Sequence, residues 1–179
     1  MRTTRYAVAS VCTRIISIAL ILAAPAVARA QLSVGGYVGA EFDNQNNWIL
    51  YGAEARLGLE SMTGQPYDAN LRYTYHSYGS GASVSQLDLN ALYNWKLASP
   101  GLLAPYVGLG AAYVRFSGGG MTENKVGLNI ISGTKVILDP TSRIDPFLNM
   151  QYTIIRDFPN SYTLTVGLSV LLGDTPGKH

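Results

Sequence analysis

Eight segments of alternating apolar and polar residues account for nearly all of the chain beyond residue 30, and the last, Tyr162-Thr-Leu-Thr-Val-Gly-Leu-Ser-Val-Leu-Leu172, shows the pattern most cleanly. Successive side chains of a strand point to opposite faces, so sustained alternation requires a sheet with two chemically different faces. The segments run 32–42, 49–60, 67–77, 84–97, 105–116, 124–138, 143–155 and 162–172. In the second, Ile49, Tyr51, Ala53, Ala55, Leu57 and Leu59 oppose Glu54, Arg56, Gly58 and Glu60. In the third, Leu71, Tyr73 and Tyr75 oppose Asp68, Asn70, Arg72, Thr74 and His76; in the fourth, Leu87, Leu89 and Ala91 oppose Gln86, Asp88 and Asn90.

Alternation also fits a soluble barrel with its apolar face inside, as in lipocalins. Two features point the other way. The polar face is rich in Gly, Ser, Thr and Asn and poor in charge, which suits a small filled interior better than a water-facing exterior. Aromatics on the apolar face gather at strand ends: Phe42, Tyr51, Tyr75, Tyr113 and Tyr162 at one, Tyr67, Tyr93 and Trp95 at the other. Paired belts of this kind mark the two membrane–water boundaries. An open edge in lipid would leave backbone groups without partners, so the sheet must close. The expected fold is all-β, an eight-stranded antiparallel up-and-down transmembrane barrel.

Residues 1–30 read as a signal peptide. Arg2, Arg5 and Arg14 form a basic start, Ile15–Ala24 an apolar run too short to span a bilayer comfortably, and Ala28 and Ala30 a cleavage signature. Four of the 13 Lys+Arg and none of the 11 Asp+Glu lie there, leaving 9 basic against 11 acidic residues, a formal charge of −2. No nucleic-acid partner is expected from that balance. The single cysteine, Cys12, is in the same segment, so residues 31–179, read as one domain, have no thiol for a disulfide, a metal site or a nucleophile.

The chain resembles the small outer-membrane barrel family that includes the OmpA membrane domain and OmpX. The residues that carry the resemblance are Thr165, Gly167, Val170 and Leu172 in the last strand and the segment Pro105–Tyr113. Leu172 is followed by Gly-Asp-Thr-Pro-Gly-Lys-His where the family tends to stop on an aromatic, and the peptidoglycan-anchoring role of full-length OmpA-type proteins is not expected. The resemblance implies a Gram-negative outer-membrane location reached by the Sec route. It implies reading of Thr165, Gly167, Val170 and Leu172 by the barrel-assembly machinery, contact with outer-membrane lipid and lipopolysaccharide, and a monomer. Both termini would be periplasmic, with external loops near 43–48, 78–83, 117–123 and 156–161 and periplasmic turns near 61–66, 98–104 and 139–142.

Inside the barrel, a hairpin register sets Glu54 and Arg56 beside Arg72, with Asp88 diagonal to Arg72 and His76. Glu60, Asp68 and Lys96 fall nearer the periplasmic end, with Lys135 approaching from the sixth strand. Ionised groups removed from water need partners, so Glu54, Arg56, Arg72 and Asp88 are expected to form a paired network. A catalytic reading takes His76 as a base oriented by Asp88, after the manner of barrels that act on lipid A. Those enzymes place a serine two residues after the histidine; here that position is Tyr78, Ser77 points to the other face, and Ser85 and Thr74 are the remaining hydroxyls. With His179 the only other histidine beyond the signal, no imidazole metal site and no cofactor are expected. Ser33, Gly35, Gly39, Gly108, Gly110 and Ala112 leave either a small cavity or room for Tyr37, Arg56 and Arg72. The expected function is non-enzymatic, a contribution to envelope integrity or surface properties. A lipid A or phospholipid modifying enzyme, a narrow porin-like channel and a secreted lipocalin-like carrier are the alternatives.

Overall fold

The computed structural model describes residues 31–42, 47–78, 81–95, 102–139, 142–156 and 158–172. The leader with Ala28 and Ala30, Lys96 and His179 lie outside these residues. Eight strands, β1 (Gln31–Phe42), β2 (Asn47–Gly58), β3 (Tyr67–Ser77), β4 (Ser83–Asn94), β5 (Leu103–Gly118), β6 (Met121–Val136), β7 (Ile144–Ile155) and β8 (Ser161–Leu172), pair antiparallel in chain order. β8 returns to β1 from Leu32↔Leu172 to Phe42↔Tyr162 and closes the barrel.

Closure fixes the two faces. Leu89 is 64 % exposed on the outside, while its neighbour Asp88 is 0 % exposed in the lumen. Val38, Leu71, Leu109, Leu128, Leu148 and Val166 are exposed in the same outward manner. An apolar exterior of this extent is stable against hydrocarbon rather than water. Ring pairs sit at both rims: Tyr51 with Tyr75 and Tyr152 with Tyr162 at one, Tyr67 with Tyr93 and Trp95 at the other.

The structure differs from the sequence reading at the end of β2 and at the β5–β6 connection. β2 stops at Gly58, and a single helical turn, α1 (Glu60–Thr63), replaces its expected end. Gly64, with φ of 68°, closes that turn by donating its N–H to the Glu60 carbonyl. Glu60 is therefore exposed and not part of the lumen. The external loop expected at 117–123 is a two-residue turn. Gly119 and Gly120 have φ of 58° and 78°, the double positive φ of the tightest hairpins, and Ser117, Thr122 and Glu123 are paired strand residues. The β5–β6 hairpin thereby rises above its neighbour, because β6 pairs with β7 only as far as Gly127↔Ile155.

The lumen is filled by long side chains reaching over glycine. In register, Asn90, Gly110 and Asn129 lie side by side on β4, β5 and β6. With no side chain at Gly110, Asn129 Nδ2 donates to Asn90 Oδ1 across it at 3.2 Å. A Cβ at Gly110 would fall on that asparagine oxygen. At Gly167 on β8, a Cβ would meet Phe147 Cζ at 2.6 Å and Tyr37 Cβ at 2.8 Å. Gly110 on β5 and Gly167 on β8 thus give their space to neighbouring side chains, while a Cβ at Gly35 or Gly39 on β1 would meet first the backbone of β8.

Candidate functional site: the lumen and its mouth

The expected interior residues come together at mid-height. Arg56 Nε donates to Glu54 Oε1 at 2.7 Å, and Arg72 Nε lies 3.7 Å from Glu54 Oε2, so one carboxylate serves two guanidinium groups. Both cations also lie over rings: Arg56 is 4.6 Å from the Tyr106 centroid and Arg72 is 4.3 Å from that of Tyr37. Such contacts strengthen when water is excluded. Arg56 Nη2 donates to the Tyr106 hydroxyl at 3.0 Å, and Tyr106 donates in turn to Asn149 Oδ1 at 3.2 Å.

Asp88 stands directly opposite Arg72 on the adjacent strand, not diagonal to it. The two nonetheless turn to different partners. Arg72 crosses the lumen and donates to Gln151 Oε1 and Thr165 Oγ1, each at 3.1 Å. Asp88 is held by amides: Gln86 Nε2 at 2.7 Å, Asn129 Nδ2 at 2.9 Å and Gln151 Nε2 at 3.3 Å. Gln151 therefore links the arginine to the aspartate, accepting from one and donating to the other. Thr153 donates to Asn129 Oδ1 at 3.0 Å and orients that amide. Toward the other end of the barrel, Lys135 Nζ meets Asp68 Oδ2 at 3.4 Å.

His76 and Asp88 are not brought together. His76 lies opposite Val84, four residues from Asp88 along β4, a separation of about 13 Å. The carboxylate beside His76 is Glu41, whose Oε2 is 2.8 Å from Nδ1, though the contact is out of line for a hydrogen bond. Glu41 was not singled out from the sequence; its inward parity on the first strand was the available signal. The remaining hydroxyl candidates are engaged elsewhere. Ser85 is on the outer face with the Tyr73 hydroxyl 3.4 Å away, and Thr74 Oγ1 is 2.7 Å from the Tyr37 hydroxyl. Ser77 is exposed. Among the described residues no group of three or more His, Cys, Asp or Glu could hold a metal ion.

Above this web the mouth is different. A cavity of about 230 Å³ is lined by Glu41, Trp48, Tyr78, Phe116, Phe158 and Ser161, among others, and a second of about 300 Å³ adjoins it across Tyr78, Phe116 and Phe158. Val84, Ala112, Val114 and Ile155 form an apolar floor beneath. The last-strand residues singled out above divide between the faces. Thr165 is buried and bonded to Arg72, Gly167 lies against Phe147, and Val170 and Leu172 are exposed outside.

No protein-family model matches the chain. No curated protein matches it either. Solved structures do. The neisserial surface protein NspA aligns with a TM-score of 0.58 and 14% identity, over 80% of this chain and 97% of that one. The N-terminal β-barrel domain of Pseudomonas aeruginosa OprF gives 0.57 and 19%, over 80% and 100%. The outer membrane enzyme PagL gives 0.51 and 15%, over 78% and 99%. The fold is that of the small eight-stranded outer-membrane β-barrels.

Proposed function

We propose that the protein is an integral protein of the bacterial outer membrane that neither catalyses a reaction nor conducts, and that it contributes to envelope integrity or surface properties. The observation that carries this reading is the lumen itself. Glu54, Arg56, Arg72 and Asp88, tied across the barrel by Tyr106, Gln151 and Thr165, occupy the path a solute would take. Eight strands leave an interior that side chains can fill. The apolar outer face and its ring belts support burial in lipid, with lipopolysaccharide on the outer side. Export by the Sec route, recognition of Thr165, Gly167, Val170 and Leu172 by the barrel-assembly machinery, and a monomeric state complete the proposal.

The test combines location with conductance. The protein should fractionate with outer membranes, migrate differently on gels when unheated, and give no stable current in planar bilayers. Recovery as a soluble periplasmic protein, or large reproducible channels, would replace this reading. Gly119→Cys should label from outside intact cells and Thr63→Cys should not; the opposite pattern would invert the orientation.

The pairing of His76 with Glu41 near the loop end favours a second reading, an enzyme acting on lipid A or phospholipid. Lipid A mass spectrometry decides between the two. Under the first, the acyl pattern is the same with and without the protein.

A further inference from the structure

We propose that the loop-end cavity is a binding site for a small organic ammonium ion of the quaternary or primary type. Two kinds of observation converge there. The first is a wall of aromatic rings. Trp48 and Tyr78 meet edge to face with centroids 4.5 Å apart, the His76 ring packs on Tyr78 at 4.8 Å, and Phe116 and Phe158 form a second pair at 4.3 Å. These rings come from β2, the end of β3, β5 and the segment leading into β8, so the barrel frame holds them around one space of about 230 Å³. That is several times what one water requires. The negative faces of aromatic rings attract cations, and cages of such rings select quaternary ammonium groups.

The second is charge. Glu41 also lines the cavity, with its side chain 14% exposed, and it stands opposite Trp48 in the β1–β2 register. The partner the structure gives it is the His76 imidazole, at one carboxylate oxygen. The adjoining cavity carries a second carboxylate, Glu123, which Lys125 meets at 2.7 Å. A carboxylate set among rings favours a positively charged guest over a neutral one of the same shape, because the charge adds a Coulomb attraction that the neutral guest lacks. The apolar floor of Val84, Val114 and Ile155 makes the site a dead end, so a guest binds and leaves by the same mouth. This inference requires only the folded barrel. It does not depend on the role proposed above.

The probe is choline, compared with its neutral isostere 3,3-dimethylbutan-1-ol, and with sodium chloride at equal ionic strength. The full chain is folded in maltoside micelles, which carry no ammonium headgroup. Trp95→Phe leaves Trp48 as the only indole, so its emission reports on the cavity. Choline should give a saturable change, with affinity roughly tenfold above that for the neutral alcohol. Glu41→Gln should weaken choline about tenfold and leave the alcohol unchanged. Phe158→Leu, a change at the rim, should weaken choline roughly threefold and serves where Glu41→Gln does not fold. Equal affinity for choline and the alcohol, no saturable response to choline beyond that to sodium chloride, or folded variants that bind choline as well as the parent would each overturn the proposal.

Discussion

At mid-height Arg72 reaches across the lumen to Gln151 and Thr165, while farther up the barrel Trp48, Tyr78 and Phe116 line open space. In the lower region most polar side chains meet complementary donors and acceptors, though Arg56 Nη1, Arg72 Nε and Asn149 Nδ2 do not, and Gly110 lets Asn90 and Asn129 meet. In the upper region the inward positions hold rings, which fill volume but offer few hydrogen bonds. The difference teaches what each region can do. A bonded web ties the strands together across the lumen; a ring-lined cup with one carboxylate leaves space open.

The sharpest way to break this comparison is to remove the cation that the web shares. Arg72→Ala leaves Glu54 with one guanidinium and strips Gln151 and Thr165 of a donor. It should cost about 3–5 kcal/mol, the range for breaking a buried charged pair. Urea unfolding from lipid vesicles measures it, and a cost below about 1 kcal/mol would mean that the web does not hold the lumen together. Next in size is a change outside both regions. Leu89→Arg puts a charge on the lipid face near mid-strand and should cost about 2–4 kcal/mol by the same measurement. Gly110→Ala should cost about 1–3 kcal/mol, since the new methyl displaces the Asn90 side chain from its bond with Asn129. The smallest effect should come from the mouth. His76→Ala removes an out-of-line contact with Glu41 and a ring contact with Tyr78, and should cost about 1 kcal/mol, with lipid A unchanged in mass spectra. Loss of an acyl modification in a stable His76→Ala barrel would move the mouth from a binding surface to a catalytic one.

The period of two was enough to assign strands and faces, because burial on one side of a strand leaves a direct trace in residue order. It grouped Glu54, Arg56 and Arg72 because these lie on adjacent strands joined by a short turn. It did not reach Gln151, Thr165 or Asn129, which approach Arg72 and Asp88 from across the barrel. Parity gives the face of a residue but not its height or its angle around the axis. Glu41 escaped for the same reason, since its neighbour His76 is two strands away. Leu92 and Tyr106 are buried in the lumen, apolar residues on an otherwise polar face, and alternation counts such residues as noise. The turn at Gly119 and Gly120 is shorter than the expected 117–123 because polar Ser117, Thr122 and Glu123 continue the ladder, and positive φ at two successive residues permits the shortest hairpin.

The seam between β1 and β8 sets a condition on how the molecule comes into being. Leu32 pairs with Leu172, so the first strand to be synthesised finds its second neighbour only after the last has emerged. Until then both strands present bare edges, and every partial sheet between them offers a template for pairing with another chain. Contacts of such sequence separation form slowly, because the loop must close before the pairing rewards it. The unclosed chain must therefore be kept apart from its own copies until the seam forms, and the interval before closure, more than the finished barrel, is where the protein is vulnerable.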